Sequence, residues 1–191
     1  MAKKIFFVFI SIGFIVLSYS MIWSILSGNP SNYKLIFIIL NSWAATACIT
    51  GIFAFTGFVF PTHKLFGTRV YKIYNPQLLT FIYKLLGVSL FRKGLLFFFW
   101  GAKKNRTKYF NGTKGGMENF IYQSKQSEFG HLGSLLVILP ISILFLYRGF
   151  VLYALITTVF NIIGNLYPII LQRYHRIRIE RILRTTNKRY H

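Results

Sequence analysis

The chain has 191 residues, 23 of them lysine or arginine against three acidic ones for a formal charge of +20, and 54% of it is hydrophobic. Apolar runs this long do not fit a solvated globular domain, and a chain without a single aspartate has no carboxylate cluster for a divalent metal. Composition thus points to a chain whose solvent is lipid.

The first apolar stretch, Ile5 to Leu26, spans roughly 33 Å as a helix, close to the hydrocarbon thickness of a bilayer. Lys3 and Lys4 precede it, and Ser18 and Ser20 are small enough for a signal cleavage site. The run continues through Met21, Ile22, Trp23, Ile25 and Leu26, beyond the usual 7–15 residues of a signal core, so it reads as an uncleaved anchor. The second span is residues 35–60. It contains the single cysteine, Cys48, which excludes an internal disulfide and reads as a buried small residue.

Residues 61–130 form one long connection, too long for a simple link and too apolar for a solvated tail. Asn75 can cap a helix with Pro76 in its first turn, after which Leu78, Leu79, Phe81, Ile82, Leu85, Leu86 and Phe91 supply an apolar surface. Gln77, Thr80, Lys84 and Gly87 make a polar or small stripe. That pattern suits either an interfacial helix or one packed on the spans. A second apolar patch, Leu95 to Trp100, lies between Arg92 and Lys93 on one side and Lys103, Lys104, Arg106 and Lys108 on the other, as suits the headgroup layer. Gly112 to Gly116 lacks the full spacing of a phosphate-binding loop and reads as a turn.

The third and fourth spans are residues 131–147 and 149–171. At the entrance to the third stand Glu128 and His131, three apart and therefore on one face of a helix. A carboxylate meeting the imidazole directly or through water would fix its tautomer, as a general base acting on a hydroxyl requires. An interfacial histidine beside a capping glutamate has the same spacing, and both readings stay open. Near the end of the fourth span Pro168 removes a helical N–H and Asn165 needs a polar partner. The tail, residues 172–191, then carries Arg173, Arg176, Arg178, Arg181 and Arg184. These guanidinium groups can bind phosphate or carboxylate, or anchor the chain on anionic lipid with Glu180 paired to Arg176 or Arg184.

Charge placement gives an orientation. Twelve basic residues lie between Pro61 and Gly130 and seven follow Leu171, leaving only Lys34 and Arg148 in the short connections after spans one and three. Both termini and the long segment are therefore expected in the cytoplasm, which makes the sequons at Asn105 and Asn111 chance occurrences. Basic residues so placed meet anionic lipid headgroups, at roughly 1 kcal/mol each, rather than nucleic acid. The expected fold is an all-α integral membrane domain over residues 1–191, with four transmembrane helices and an interfacial helical segment between the second and third.

Glu128 and His131 followed by Asn165, Pro168, Gln172, Arg173, Tyr174, Arg176 and Arg178, with a looser match at Phe91, Arg92 and Lys93, resemble the glycosyl-4,4'-diaponeurosporenoate acyltransferase family. Its pattern runs from a basic aromatic segment to Glu-x-x-His, two spans and Gln-Arg-Tyr-Asn-Arg-x-Arg; His175 stands here where asparagine is usual. The resemblance covers roughly residues 90–184. It implies a bacterial cytoplasmic-membrane enzyme moving a fatty acyl chain onto a sugar hydroxyl of a glycosylated carotenoid, a late step in staphyloxanthin-type pigment synthesis.

The implied partners are an acyl thioester donor and a lipophilic hydroxyl acceptor, with anionic lipids around them and no metal or other cofactor. Catalytic roles fall to His131 and Glu128, and substrate binding to Asn165, Gln172, Arg173, Tyr174, Arg176 and Arg178. With no Ser-His or Cys-His arrangement evident, direct transfer is expected over an acyl-enzyme. A non-enzymatic scaffold or lipid-binding subunit is the alternative. Four spans with no acidic residue give ion-coupled transport no support.

Overall fold

A computed structural model describes residues 2–97 and 113–189. The described elements are helical: α1 (Ala2–Leu26), α2 (Leu35–Val59), α3 (Thr68–Tyr71), α4 (Pro76–Leu85), α5 (Val88–Leu95), α6 (Lys114–Tyr147), α7 (Val151–Asn161) and α8 (Tyr167–Arg189). Short 3-10 turns lie at Pro30–Asn32 and Thr62–Lys64, and a π-helical turn, Ile162–Leu166, joins α7 to α8. Four helices are long and apolar enough to cross a membrane: Ala2–Leu26, Leu35–Val59, Gly115–Tyr147 and Val151–Leu183. The third begins well before His131. Thr113 starts it, its hydroxyl accepting from the Gly116 N–H at 3.1 Å, so the glycine-rich stretch, as far as it is described, is a helix entrance. The sequons at Asn105 and Asn111, the aromatic end of the Leu95 to Trp100 patch and the basic residues 103–108 lie outside the described residues.

The chain divides into two compact units, one drawn from Met1–Thr62 and Phe129–Pro168, the other from His63–Glu128 and Ile169–His191. In the first, the usual placement of side chains is inverted. Phe9, Trp23, Trp43 and Leu155 are exposed while Ser11, Ser18, Ser42 and Thr46 are buried. Lipid explains the inversion: apolar side chains gain nothing by leaving it, whereas small residues let backbones approach. Ser11 and Ser18 turn their hydroxyls back onto the Phe7 and Ile15 carbonyls at 3.0 and 3.1 Å, keeping those polar groups off the hydrocarbon.

This unit's apolar cluster is Ile25, Ile38, Phe145, Phe150, Tyr153 and Ala154, and the turn from α6 to α7 builds part of it. Gly149 adopts φ +83°, its N–H bonds to the Leu146 carbonyl at 3.1 Å, and the Phe150 N–H reaches back to the Phe145 carbonyl at 2.8 Å. That pair of bonds is a Schellman motif, completed by contact between the Phe145 and Phe150 rings, 6.4 Å apart.

In the second unit the Asn75 side chain accepts from the Leu78 N–H at 2.9 Å, and Pro76 opens α4. Leu78, Phe81 and Leu85 form an exposed apolar face on α4, while Tyr83 turns inward and stacks on Tyr174 with ring centroids 4.0 Å apart. Pro168 lies two residues past the end of the π turn. In α register the Gly164 carbonyl would accept from residue 168, and proline has no N–H to give; one turn is widened instead, with the Tyr167 N–H bonded to the Ile162 carbonyl.

Gly149→Ala places a Cβ in the left-handed region and should lower stability by roughly 1–2 kcal/mol. Reversible unfolding in mixed micelles measures it, with Gly164→Ala as the comparison at a glycine whose added Cβ meets nothing within 4 Å.

Candidate functional site

Two polar clusters stand out, one in each unit. The charged cluster in the second unit is built on Glu128 of α6, whose side chain is fully buried. Arg173 of α8 donates from Nε to Glu128 Oε1 at 2.7 Å, and Arg176, also fully buried, donates to Oε2. A guanidinium offers charged, directional donors, so two of them satisfy a carboxylate better than a neutral ring nitrogen does. This is why the carboxylate that spacing offered to His131 is engaged by arginines. The same arginines extend further: Arg173 reaches the Val70 carbonyl at 3.0 Å and Arg176 the Ser124 hydroxyl at 3.3 Å. Helical spacing aligns the parts, since Ser124 and Glu128 lie four apart on α6 and Arg173 and Arg176 three apart on α8.

Around this core, Gln172 donates to the Ser127 hydroxyl at 3.3 Å, Tyr174 holds the stack with Tyr83, and Arg178 is exposed. Tyr71 is buried beside the charges, and among the described residues neither its hydroxyl nor Arg176 Nε has a hydrogen-bond partner. Burial, joined by the Glu128 carboxylate and opposed by Arg176 and Arg173, pushes the Tyr71 phenol up to about 12, so at neutral pH it is a donor.

The neutral cluster in the first unit centres on Asn165, fully buried in the π turn. His131 Nδ1 lies 3.1 Å from Asn165 Oδ1, and the Thr50 hydroxyl of α2 donates to the same oxygen at 3.2 Å. Asn165 Nδ2 donates to Asn161 Oδ1 at 2.9 Å, and Asn161 Nδ2 to the Leu135 carbonyl at 3.2 Å.

The expected residues thus sort into two sets. Glu128, Arg173, Arg176 and Gln172 meet in the second unit, and His131 and Asn165 in the first. Sequence reasoning missed Tyr71, Thr50, Ser124 and Asn161. Only Asn161 had a visible signal, its four-residue spacing from Asn165. No group of three or more metal-ligating side chains occurs among the described residues.

The glycosyl-4,4'-diaponeurosporenoate acyltransferase family matches residues 67–185, well over half of the chain. The chain belongs to that family. The match takes in both clusters' motif residues and begins earlier than the motifs alone implied, ahead of Tyr71, while α1 and α2 lie outside it. Membership makes this an acyltransferase family protein with membrane-helix character. Neither the curated proteins nor the solved structures contain a match.

Tyr71→Phe removes only the unpartnered hydroxyl and should change stability at pH 7 by less than about 1 kcal/mol. The sign of its pH dependence is fixed by the raised phenol. The folded state holds its proton to higher pH than the unfolded chain, so this contribution is full below pH 10 and is lost as pH rises toward 12. Unfolding at pH 8 and pH 11 should therefore show the wild type losing more stability than Tyr71→Phe.

Proposed function

We propose that the protein transfers a fatty acyl chain from a thioester donor to a hydroxyl of a lipophilic acceptor, in keeping with the family's glycosylated carotenoid. The observation carrying this reading is His131, an imidazole held by Asn165 on a helix apolar enough to cross a membrane. A base so oriented has lost little reach and much freedom.

The chemistry balances without a covalent enzyme intermediate. His131 takes the acceptor's hydroxyl proton as the oxygen attacks the thioester carbonyl. The tetrahedral intermediate then collapses with its C–S bond breaking, and the proton passes to the departing thiolate. Ester and thiol are the products. Glu128 acts by holding Arg173 and Arg176 in place, and Arg173, with Gln172, Tyr174 and Arg178, binds the anionic part of the donor while the buried Arg176 keeps the carboxylate fixed.

Both termini and the segment between the second and third spans face the cytoplasm in this reading, supported by the distribution of lysine and arginine. The exposed apolar face of α4, formed by Leu78, Phe81 and Leu85, lies along the inner leaflet.

His131→Ala should lower transfer by about 10²–10⁴ while the protein still inserts and folds. Mass spectrometry of lipids and pigments extracted with and without the intact gene checks the products. The expected difference is one fatty acyl group on a hydroxylated lipid; unchanged extracts would favour a scaffold instead.

A further inference from the structure

The hydrogen bonds around Asn165 have a direction, and that direction reaches the imidazole. They end on the Leu135 main-chain carbonyl, which can only accept. Asn161 must therefore turn its NH2 group toward Leu135, which leaves its Oδ1 as the atom facing Asn165. That oxygen also only accepts, so Asn165 presents its own NH2 there and its Oδ1 to His131. Thr50 does not decide the direction, because a hydroxyl can donate or accept. Facing an acceptor, His131 Nδ1 must carry the proton.

We infer that Asn161 is a positioning residue that acts through Asn165 to hold neutral His131 as the Nδ1–H tautomer, leaving the Nε2 lone pair for the acceptor hydroxyl. The inference rests on the acyl-transfer reading only for what Nε2 then does; the tautomer itself follows from the hydrogen bonds. Histidine free in water favours the opposite tautomer, with the proton on Nε2. The relay inverts that preference. Reversing it would set Asn161 Oδ1 against the Leu135 carbonyl, or leave a buried amide facing another of its own kind. One hydrogen bond lost and one buried group left unpaired corresponds to a shift in tautomer ratio on the order of tenfold or more.

The arrangement also gives the π turn a role. Asn161 and Asn165 are joined side chain to side chain along the segment that widens ahead of Pro168. Asn165 is fully buried and Asn161 nearly so. No water competes for these groups at full strength, so the orientation of one amide is transmitted to the next.

The test is nitrogen-15 NMR of the full chain labelled at histidine, in lipid nanodiscs, with the His131 resonances identified by their absence from His131→Gln. At a pH where the ring is neutral, wild type should show a protonated Nδ1 and a bare Nε2. Asn161→Leu, similar in volume, frees Asn165 to flip and should move the tautomer ratio toward Nε2–H by on the order of tenfold. A wild-type ring protonated on Nε2, or a folded Asn161→Leu protein whose tautomer does not move, overturns the inference. Should Asn161→Leu fail to fold, the wild-type spectrum still decides.

Transfer kinetics add a separate arm. Asn161→Leu should slow transfer in the wild-type background and have no further effect on His131→Ala, as expected of a residue acting through the ring. A tautomer that responds as stated in a protein with no transfer activity would sink the acyl-transfer reading and leave the relay standing.

Discussion

One buried carboxylate organises the charged half of this protein. Glu128 is fully buried, and burying a lone carboxylate is far too costly unless charged donors surround it. Arg173 and Arg176 meet that need from 45 and 48 residues away in sequence, fixing a turn of α8 against the Ser124 to Glu128 stretch of α6. The arginines then carry the constraint outward to the Val70 carbonyl and the Ser124 hydroxyl. In a chain with 23 cations and three acidic residues, a single anion at this position draws one arginine, Arg176, fully out of solvent.

The neutral cluster follows a different rule. There the groups are amides, a hydroxyl and an imidazole, and their orientations are set by a chain of donors that ends on a main-chain carbonyl. Such an arrangement suits a span, because it leaves no net charge in hydrocarbon while still giving each polar side chain a partner. In the acyl transfer proposed above, the arginines grip the donor's anion and the imidazole removes the hydroxyl proton. The chain keeps them chemically distinct: Glu128 serves the arginines and Asn165 serves the histidine.

The four long helices were legible because hydropathy over a stretch of this length has one strong physical cause. Asn75 and Pro76 were legible for a similar reason, since a cap is a local event. The early start of α6 at Lys114 was not. Residues 114–130 carry three glycines and no apolar period, and what holds them helical is the Thr113 cap together with the burial of Met117, Ser124 and Glu128. The Glu128 and His131 spacing misled in an instructive way, because sharing a helical face permits a contact without excluding stronger partners from elsewhere. Nothing local marks Tyr71 or Thr50 as neighbours of these clusters. The π turn ahead of Pro168 was not legible either, since a missing N–H can be absorbed by widening as well as by bending.

Glu128 and Arg176 depend on each other, and a double-mutant cycle measures that dependence directly. Glu128→Gln, Arg176→Gln and the double variant would be compared with wild type by reversible unfolding in mixed micelles. Each single change leaves a buried charge short of its partner and should destabilise by about 3–5 kcal/mol, with the double variant falling short of the sum by at least about 1 kcal/mol. Additivity within about 0.5 kcal/mol would contradict the account, because two groups that do not feel one another cannot organise the rest.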